Sequence, residues 1–381
     1  MSEIVLECDT VIIGAGTAGI EAYKAATEAG ANCILVESGP LGTSSRRTGD
    51  TPVSFLMEAG KKCHALMELD TYGISPKSKV DISLNTDHVL NNLRAARSKE
   101  TGDVLSFIYR IPETNRLIGK ARFVDEHTIM VNENFQVRFK SAVISTGSAP
   151  VIPFELSRYG ADSGVYTTND FFDMDNLPNS IAVFGSNREG LQIGQALSYL
   201  GVKTVVFGSN RIWDLTDESV MHTTIDEFND RFDLVLNTYT TAIEKTSRGF
   251  SIYYLDHTNY ENHLSVETIL SASIRCPKLE GLNIRSLGIK VDRFGCIDIK
   301  QNTLQTSVTD LNMTVDFARY QGKLAGFNAA NYPNMSTAKK PIKVNIMNTD
   351  PEVAMVGMSY DEVVARPKTG RHFIAGEVRA S

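Results

Sequence analysis

The chain predicts an α/β fold built on parallel sheets, on two observations. Twice a short apolar strand runs into a glycine-rich turn that opens directly into a helix, at Asp9–Ala29 and again at Ile181–Leu200. Each helix is followed by a further apolar strand, Cys33–Val36 and Thr204–Phe207, which gives the β-α-β order of parallel sheets. At 381 residues the chain suits two or three domains and can bury a sizeable core.

The first unit is the sharper of the two. Asp9-Thr10-Val11-Ile12-Ile13 reads as a buried strand, followed by Gly14-Ala15-Gly16-Thr17-Ala18-Gly19. Helical spacing then runs from Ile20 to Ala29, with Gly30 as its stop. In a Rossmann-like dinucleotide site each glycine has a separate task. Gly14 permits the tight turn, Gly16 lets the backbone approach a pyrophosphate, and Gly19 allows close helix–strand packing. The helix N-terminus offers oriented N–H groups to phosphate charge. Glu37, at the end of the second strand, is placed to accept hydrogen bonds from ribose hydroxyls.

Residues 55–69 carry Phe55, Leu56, Ala59, Cys63, Leu66 and Met67 at helical spacing, and the charged stretch 86–109 shows the same period. The second unit opens with the strand Ile181-Ala182-Val183-Phe184 and the turn Gly185-Ser186-Asn187-Arg188-Glu189-Gly190. Its helix runs through Leu191, Ile193, Ala196 and Leu200 to Gly201. The chemistry of this turn is altered. Asn187 stands at the middle glycine, where its side chain is expected to crowd a pyrophosphate, and the following strand ends on Phe207 rather than an acid. Arg188 and Arg211 are candidates for a nucleotide 2′-phosphate, which favours NADP over NAD. The alternative is a Rossmann shell without nicotinamide affinity. Trp213 and the Tyr253-Tyr254 pair read as packing.

The bulk properties narrow the function classes. Net charge is −7 with both signs interspersed, which points away from nucleic acid and anionic membranes. The segment Met1–Glu7 is too acidic for a signal peptide, and no apolar run reaches membrane-spanning length, so the expected compartment is the cytoplasm. Five scattered cysteines (Cys8, Cys33, Cys63, Cys276, Cys296) show neither CxxC nor metal-ligand spacing and read as reduced thiols, with no metal site.

Further segments carry a family likeness. Thr146-Gly147-Ser148-Ala149-Pro150 follows the first unit, Leu304-Gln305-Thr306-Ser307 precedes Asp316, and Asp350-Pro351-Glu352-Val353-Ala354-Met355-Val356-Gly357 lies near the C-terminus. With the two glycine turns, in this order, the chain resembles dihydrolipoamide dehydrogenase and its relatives, the disulfide-containing pyridine-nucleotide flavoproteins. The resemblance implies two Rossmann-like three-layer domains, the second inserted in the first. An FAD-binding domain is implied at 1–150 and 272–335, and an NAD(P)-binding-like domain at 151–271. Residues 336–381 are expected to form a stub of a C-terminal α+β interface domain. FAD is then expected on Gly14, Gly16, Gly19, Glu37, Thr146, Gly147 and Asp316. The weaker NAD(P) assignment falls on Gly185, Gly190, Arg188 and Arg211.

The departures from the family are as informative as the likeness. Its pattern Gly-x-Thr-Cys-x-x-x-Gly-Cys-x-Pro-Ser-Lys falls on Gly42–Ser54. Ser45 replaces the first cysteine, Asp50 the second, and Ser54 the lysine. The family glutamate that pairs with that lysine is Gln192 here. A hydroxyl forms no stable equivalent of an S–S bond, and a carboxylate is no thiolate. Loss of both charges together avoids stranding either one. The family's Gly-Asp reads Val315-Asp316, the segment Phe317–Lys323 is shortened, and the second ATG-type turn is eroded to Ser271-Ala272-Ser273-Ile274-Arg275. Arg46 and Arg47 read as a solvated loop, or else as an anion site or partners of Asp50. His372 lies outside the family's His-Pro context.

Strand-like segments at 342–347, 353–357 and 372–378 suggest self-association or a partner over the C-terminal edge. The expectation is an FAD-binding flavoprotein that has lost dithiol–disulfide exchange. The alternatives are an NAD(P)H:acceptor oxidoreductase using FAD without a disulfide, and a non-catalytic scaffold.

Overall fold

The computed structural model describes residues 4–74, 85–293, 295–300, 302–306, 315–337 and 342–365. Packing separates the chain into two compact units that alternate along it. One comprises Met1–Arg47, Arg97–Ala149 and Arg275–Pro341; the other comprises Thr48–Ala96, Pro150–Ile274 and Ile342–Ser381. Ser307, His372 and the strand expected at 372–378 lie outside the described residues.

The first unit holds β1 (Ile4–Ile13), α1 (Thr17–Glu28) and β2 (Cys33–Glu37). Its six-stranded sheet runs Arg116–Ile118, β2, β1, Phe135–Ile144, Thr128–Val131, Ala121–Asp125. The first four strands are parallel and the last two return antiparallel. β1 begins five residues before the apolar run because Ile4–Cys8 pairs with Phe135–Phe139. Ile4 and Val5 are exposed, so ladder hydrogen bonds rather than burial hold this stretch.

Alternation along the strands sorts the core into two layers. Val11, Ile13, Ile34 and Val36 face Leu282, Ile284 and Ile297, while Ile12, Cys33 and Leu35 face α1, Ile108 and the helix Val315–Asn331. That last helix lies against α1 at glycines. A Cβ on Gly322 would sit 2.2 Å from the Ala18 carbonyl oxygen, and one on Gly326 would sit 2.1 Å from that of Ala22. Two turns of bare backbone on one helix meet two alanines on the other, an approach that no side chain tolerates.

The second unit repeats the plan. Five parallel strands run Asp233–Leu236, Lys203–Gly208, Ser180–Phe184, Thr268–Ser271, Val165–Thr167. Both sheets therefore place the strand before the glycine turn beside a returning strand, with the order reversing between them, as in doubly wound α/β folds. Ile181, Val183, Val206 and Leu270 pack on the helices Asp50–Met67 and Arg188–Tyr199. Ala182, Val205 and Ile269 pack on a three-stranded antiparallel sheet, Tyr239–Thr246, Gly249–Leu255 and Glu261–Val266. The α/β class and the two Rossmann-like units match the sequence reading.

The helix read at 55–69 begins at Asp50, and that read at 86–109 spans Thr86–Arg110. Near the C-terminus Val344–Met347 pairs antiparallel with Val353–Val356. A double hydrogen bond fixes this hairpin in its own unit: Gln195 Nε2 donates to the Asp350 carbonyl and Gln195 Oε1 accepts from the Asp350 N–H, each at 2.7 Å. Tyr199 donates its hydroxyl to Asp350 Oδ2 at 3.2 Å and stacks on His64 at 3.9 Å. Burial, reinforced by the Asp350 charge, raises the Tyr199 pKa and keeps the phenol a donor.

Gly326→Leu is expected to lower stability by about 2–3 kcal/mol through overpacking against Ala22, measured by urea unfolding. Lys323→Ala on the exposed side of the same helix should stay within about 0.5 kcal/mol of the parent.

Candidate functional site

The two glycine turns differ in what surrounds them. In the first, Gly14 adopts φ +107° and donates its N–H to the Val36 carbonyl at 2.7 Å. A Cβ there would lie 2.2 Å from the Ser145 carbonyl oxygen, and one on Gly19 would lie 1.8 Å from that of Gly14. Both positions admit only glycine. Gly16 is different: a Cβ there would meet nothing within 4 Å. It is the N-cap of α1, in extended conformation, and no side chain caps the helix. The turn thus presents a bare, open helix N-terminus.

Glu37 stands beside this opening. Its carboxylate accepts from the Ala15 N–H at 2.6 Å and the Gly39 N–H at 2.9 Å. Thr146 is half-buried and Gly147 is exposed with φ +69°, its carbonyl accepting from the Lys278 N–H. Asp316 lies in the helix Val315–Asn331, and its side chain is outside the described residues. Thr43 was given no role in the sequence reading. It adopts φ +60°, and its buried hydroxyl has no hydrogen-bond partner among the described residues. Such an orphan is uncommon in a native interior. The signal in sequence was only its position after Gly42.

The second turn is filled. Gly185 (φ +143°) and Gly190 make the expected close approaches, 2.1 Å from the carbonyl oxygens of Ala272 and Gly185 for an added Cβ. Asn187 occupies the turn with its own side chain, which is tied at both of its polar atoms. Its Oδ1 accepts from the Gly190 N–H at 2.9 Å, and its Nδ2 donates to the carbonyls of Ala272 at 2.5 Å and Ser273 at 2.8 Å. Phe207 is buried at 4% exposure, stacked on Phe184 at 5.0 Å.

The positions that the resemblance matches to the family's redox residues lie in the following surroundings. Ser45 is half-buried in the one-turn helix Ser44–Arg47. Asp50 opens the helix Asp50–Met67, and its Oδ1 accepts from Arg188 at 2.7 Å. Arg46 pairs with Glu100 instead of Asp50. Ser54 is exposed, whereas Gln192 is 3% exposed. Arg211 pairs with Asp361 at 3.2 Å.

All five cysteines are free thiols. Burial pushes the Cys8 thiol up to about 12 and that of Cys33 up to about 11, so both are poor nucleophiles. Among the described residues no group of three or more His, Cys, Asp or Glu could hold a metal ion, and no helix is long and apolar enough to cross a membrane.

Comparison with known proteins agrees with this architecture. A family described as pyridine nucleotide-disulphide oxidoreductase matches residues 8–338. The dihydrolipoyl dehydrogenase of Buchnera aphidicola subsp. Schizaphis graminum is 28% identical over 374 residues, covering 94% of this chain and 76% of that protein. That of Geobacillus stearothermophilus is 24% identical over 371 residues, covering 94% and 77%. Among solved structures, a Cu(II) complex of the HOCl-induced flavoprotein disulfide reductase RclA from Escherichia coli superposes with a TM-score of 0.77. It covers 96% of this chain and 79% of that one at 17% identity, a likeness of fold.

Asn187→Ala removes a helix cap and two ties to the returning strand. Chemical denaturation should register a loss of about 1–2 kcal/mol.

Proposed function

Because the chain belongs to the pyridine nucleotide-disulphide oxidoreductase family, we propose that it is a flavoprotein that holds FAD at its first glycine turn without carrying out dithiol–disulfide exchange. The open N-terminus of α1 at Gly16 is the observation that carries the FAD assignment. Gly14, Gly16 and Gly19 with the first amides of α1 take the pyrophosphate, and Glu37 takes ribose hydroxyls. Thr146, Gly147 and Asp316 are assigned to the rest of the cofactor on resemblance. The orphan hydroxyl of Thr43 supports a ligand in the same unit. FAD bound there supplies two-electron redox chemistry. The chain's own part is to orient the adenine half and exclude water from the phosphates. On this reading 1–150 and 272–335 are the FAD-binding domain and 151–271 the nucleotide-binding-like domain, with 48–96 packed in the unit of the second turn.

Loss of disulfide exchange rests on Ser45 and Asp50. A hydroxyl and a carboxylate occupy the positions of the two sulfurs, and the carboxylate is committed to Arg188. Neither Ser54 nor Gln192 carries the charge found in the family. Cys8 and Cys33 are buried in the central sheet with raised thiol pKa values, so they offer no substitute pair.

Purified protein should carry an oxidised-flavin absorption band at about one equivalent, and Gly16→Val should abolish it while keeping the circular dichroism and cooperative unfolding of a folded chain, because a Cβ at this position meets only open space. A colourless parent that takes up no added FAD would remove the assignment. Ser45→Cys with Asp50→Cys should restore no dihydrolipoamide turnover, since Ser54 and Gln192 remain uncharged. Anaerobic bleaching of the bound flavin by dihydrolipoamide in that double variant, read without any pyridine nucleotide, would show that exchange chemistry is recoverable.

A further inference from the structure

The family name implies a pyridine nucleotide, and a second Rossmann turn is present to receive one. Its residues do not fit that ligand. We infer that this turn is filled from within the chain, with Asn187 and Asp50 as the internal substitutes for a nucleotide's phosphates, and that it takes no pyridine nucleotide.

Dinucleotide binding at such a turn needs three things: bare backbone at the middle glycine, free donors at the helix start, and an acceptor at the end of the next strand. The first turn has all three in Gly16, the uncapped start of α1, and Glu37. In the second turn the first two are taken up internally and the third is replaced by Phe207-Gly208. Asn187 replaces the bare glycine, and its Oδ1 takes the Gly190 N–H, one of the donors that face a phosphate in this fold. Its amide nitrogen reaches the carbonyls of Ala272 and Ser273, which follow the returning strand Thr268–Ser271. One side chain therefore spans the crevice where the strand order reverses, the place where nucleotides enter doubly wound sheets.

The ribose side is closed as well. The strand Lys203–Gly208 brings Phe207 into the core, against Phe184 and edge-on to Tyr254 at 5.1 Å. Beside Gly208 the space is taken: a Cβ there would lie 2.4 Å from Ser186 Cβ and 2.6 Å from Leu236 Cδ2. Ser186 is itself tied to the segment that follows, donating its hydroxyl to the Arg211 carbonyl at 2.8 Å and accepting the Trp213 N–H at 2.6 Å. The strand ends on Phe207-Gly208 rather than on an acid, and the turn and the 209–213 segment close on each other.

The two cations considered for a 2′-phosphate are both paired. Arg188, at the first position of its helix, would oppose the positive end of the helix dipole were it not held by Asp50. Asp50 thus supplies at this helix start the negative charge that a phosphate would bring. Arg211 pairs with Asp361 across an exposed surface and is the weaker of the two restraints.

The test is direct titration of the full chain with NADP+, NADPH and NAD+ by calorimetry, with flavin content recorded separately so that the FAD assignment does not affect the result. The parent should show no saturation up to several millimolar, roughly the floor of specific recognition. The double variant Asn187→Gly with Asp50→Asn, confirmed as folded by its circular dichroism and cooperative unfolding, should gain at least about tenfold in affinity for NADP+. Micromolar binding by the parent would overturn the inference. A folded double variant with no gain would equally overturn the roles given to Asn187 and Asp50.

Discussion

Backbone lying directly on backbone is the constraint from which the rest of this structure follows. Gly14 under Ser145, Gly19 against Gly14, Gly322 on Ala18 and Gly326 on Ala22 leave no room for a single added carbon. These contacts bring α1 down onto its sheet and a second helix down onto α1. That geometry aims the start of α1 at the end of β2, where Glu37 waits. Gly185 and Gly190 set up the same geometry in the second unit. The two units therefore share a scaffold, and their difference is chemical. One leaves the helix start open at Gly16, and the other closes it with Asn187.

Much of this was legible in the sequence because a glycine requirement is a property of the local backbone. Gly14, Gly16, Gly19 and Glu37 lie within one β-α-β unit, so their spacing alone states their geometry. Gly322 and Gly326 were not legible in the same way. Four-residue spacing of glycines in a helix has meaning only once a partner is known, and Ala18 and Ala22 lie some three hundred residues earlier. The identity of Asn187 was readable but its direction was not. Whether an amide crosses the turn or folds back depends on the carbonyls of Ala272 and Ser273, supplied by a distant strand.

Charge pairing was the least legible layer. Arg46 and Arg47 are close to Asp50 in sequence, yet Arg46 is taken by Glu100 and Asp50 by Arg188. Long flexible side chains choose partners through tertiary placement, which composition and periodicity do not encode. The lone hydroxyl of Thr43 belongs to the same class of feature. A threonine after a glycine is unremarkable in sequence, and only its left-handed backbone and burial single it out.

The pair formed by Asp50 and Arg188 also couples two positions far apart in the chain. Each residue occupies the first position of a helix, and the two helices belong to the same packed unit. Replacing Asp50 alone leaves Arg188 at a helix start without this carboxylate, and changing Arg188 alone takes one partner from Asp50, at modest cost because both side chains are partly exposed. The effect of one substitution therefore depends on the other. The joint makes positions 50 and 188 one unit, and a change at either is interpretable only with the other in view.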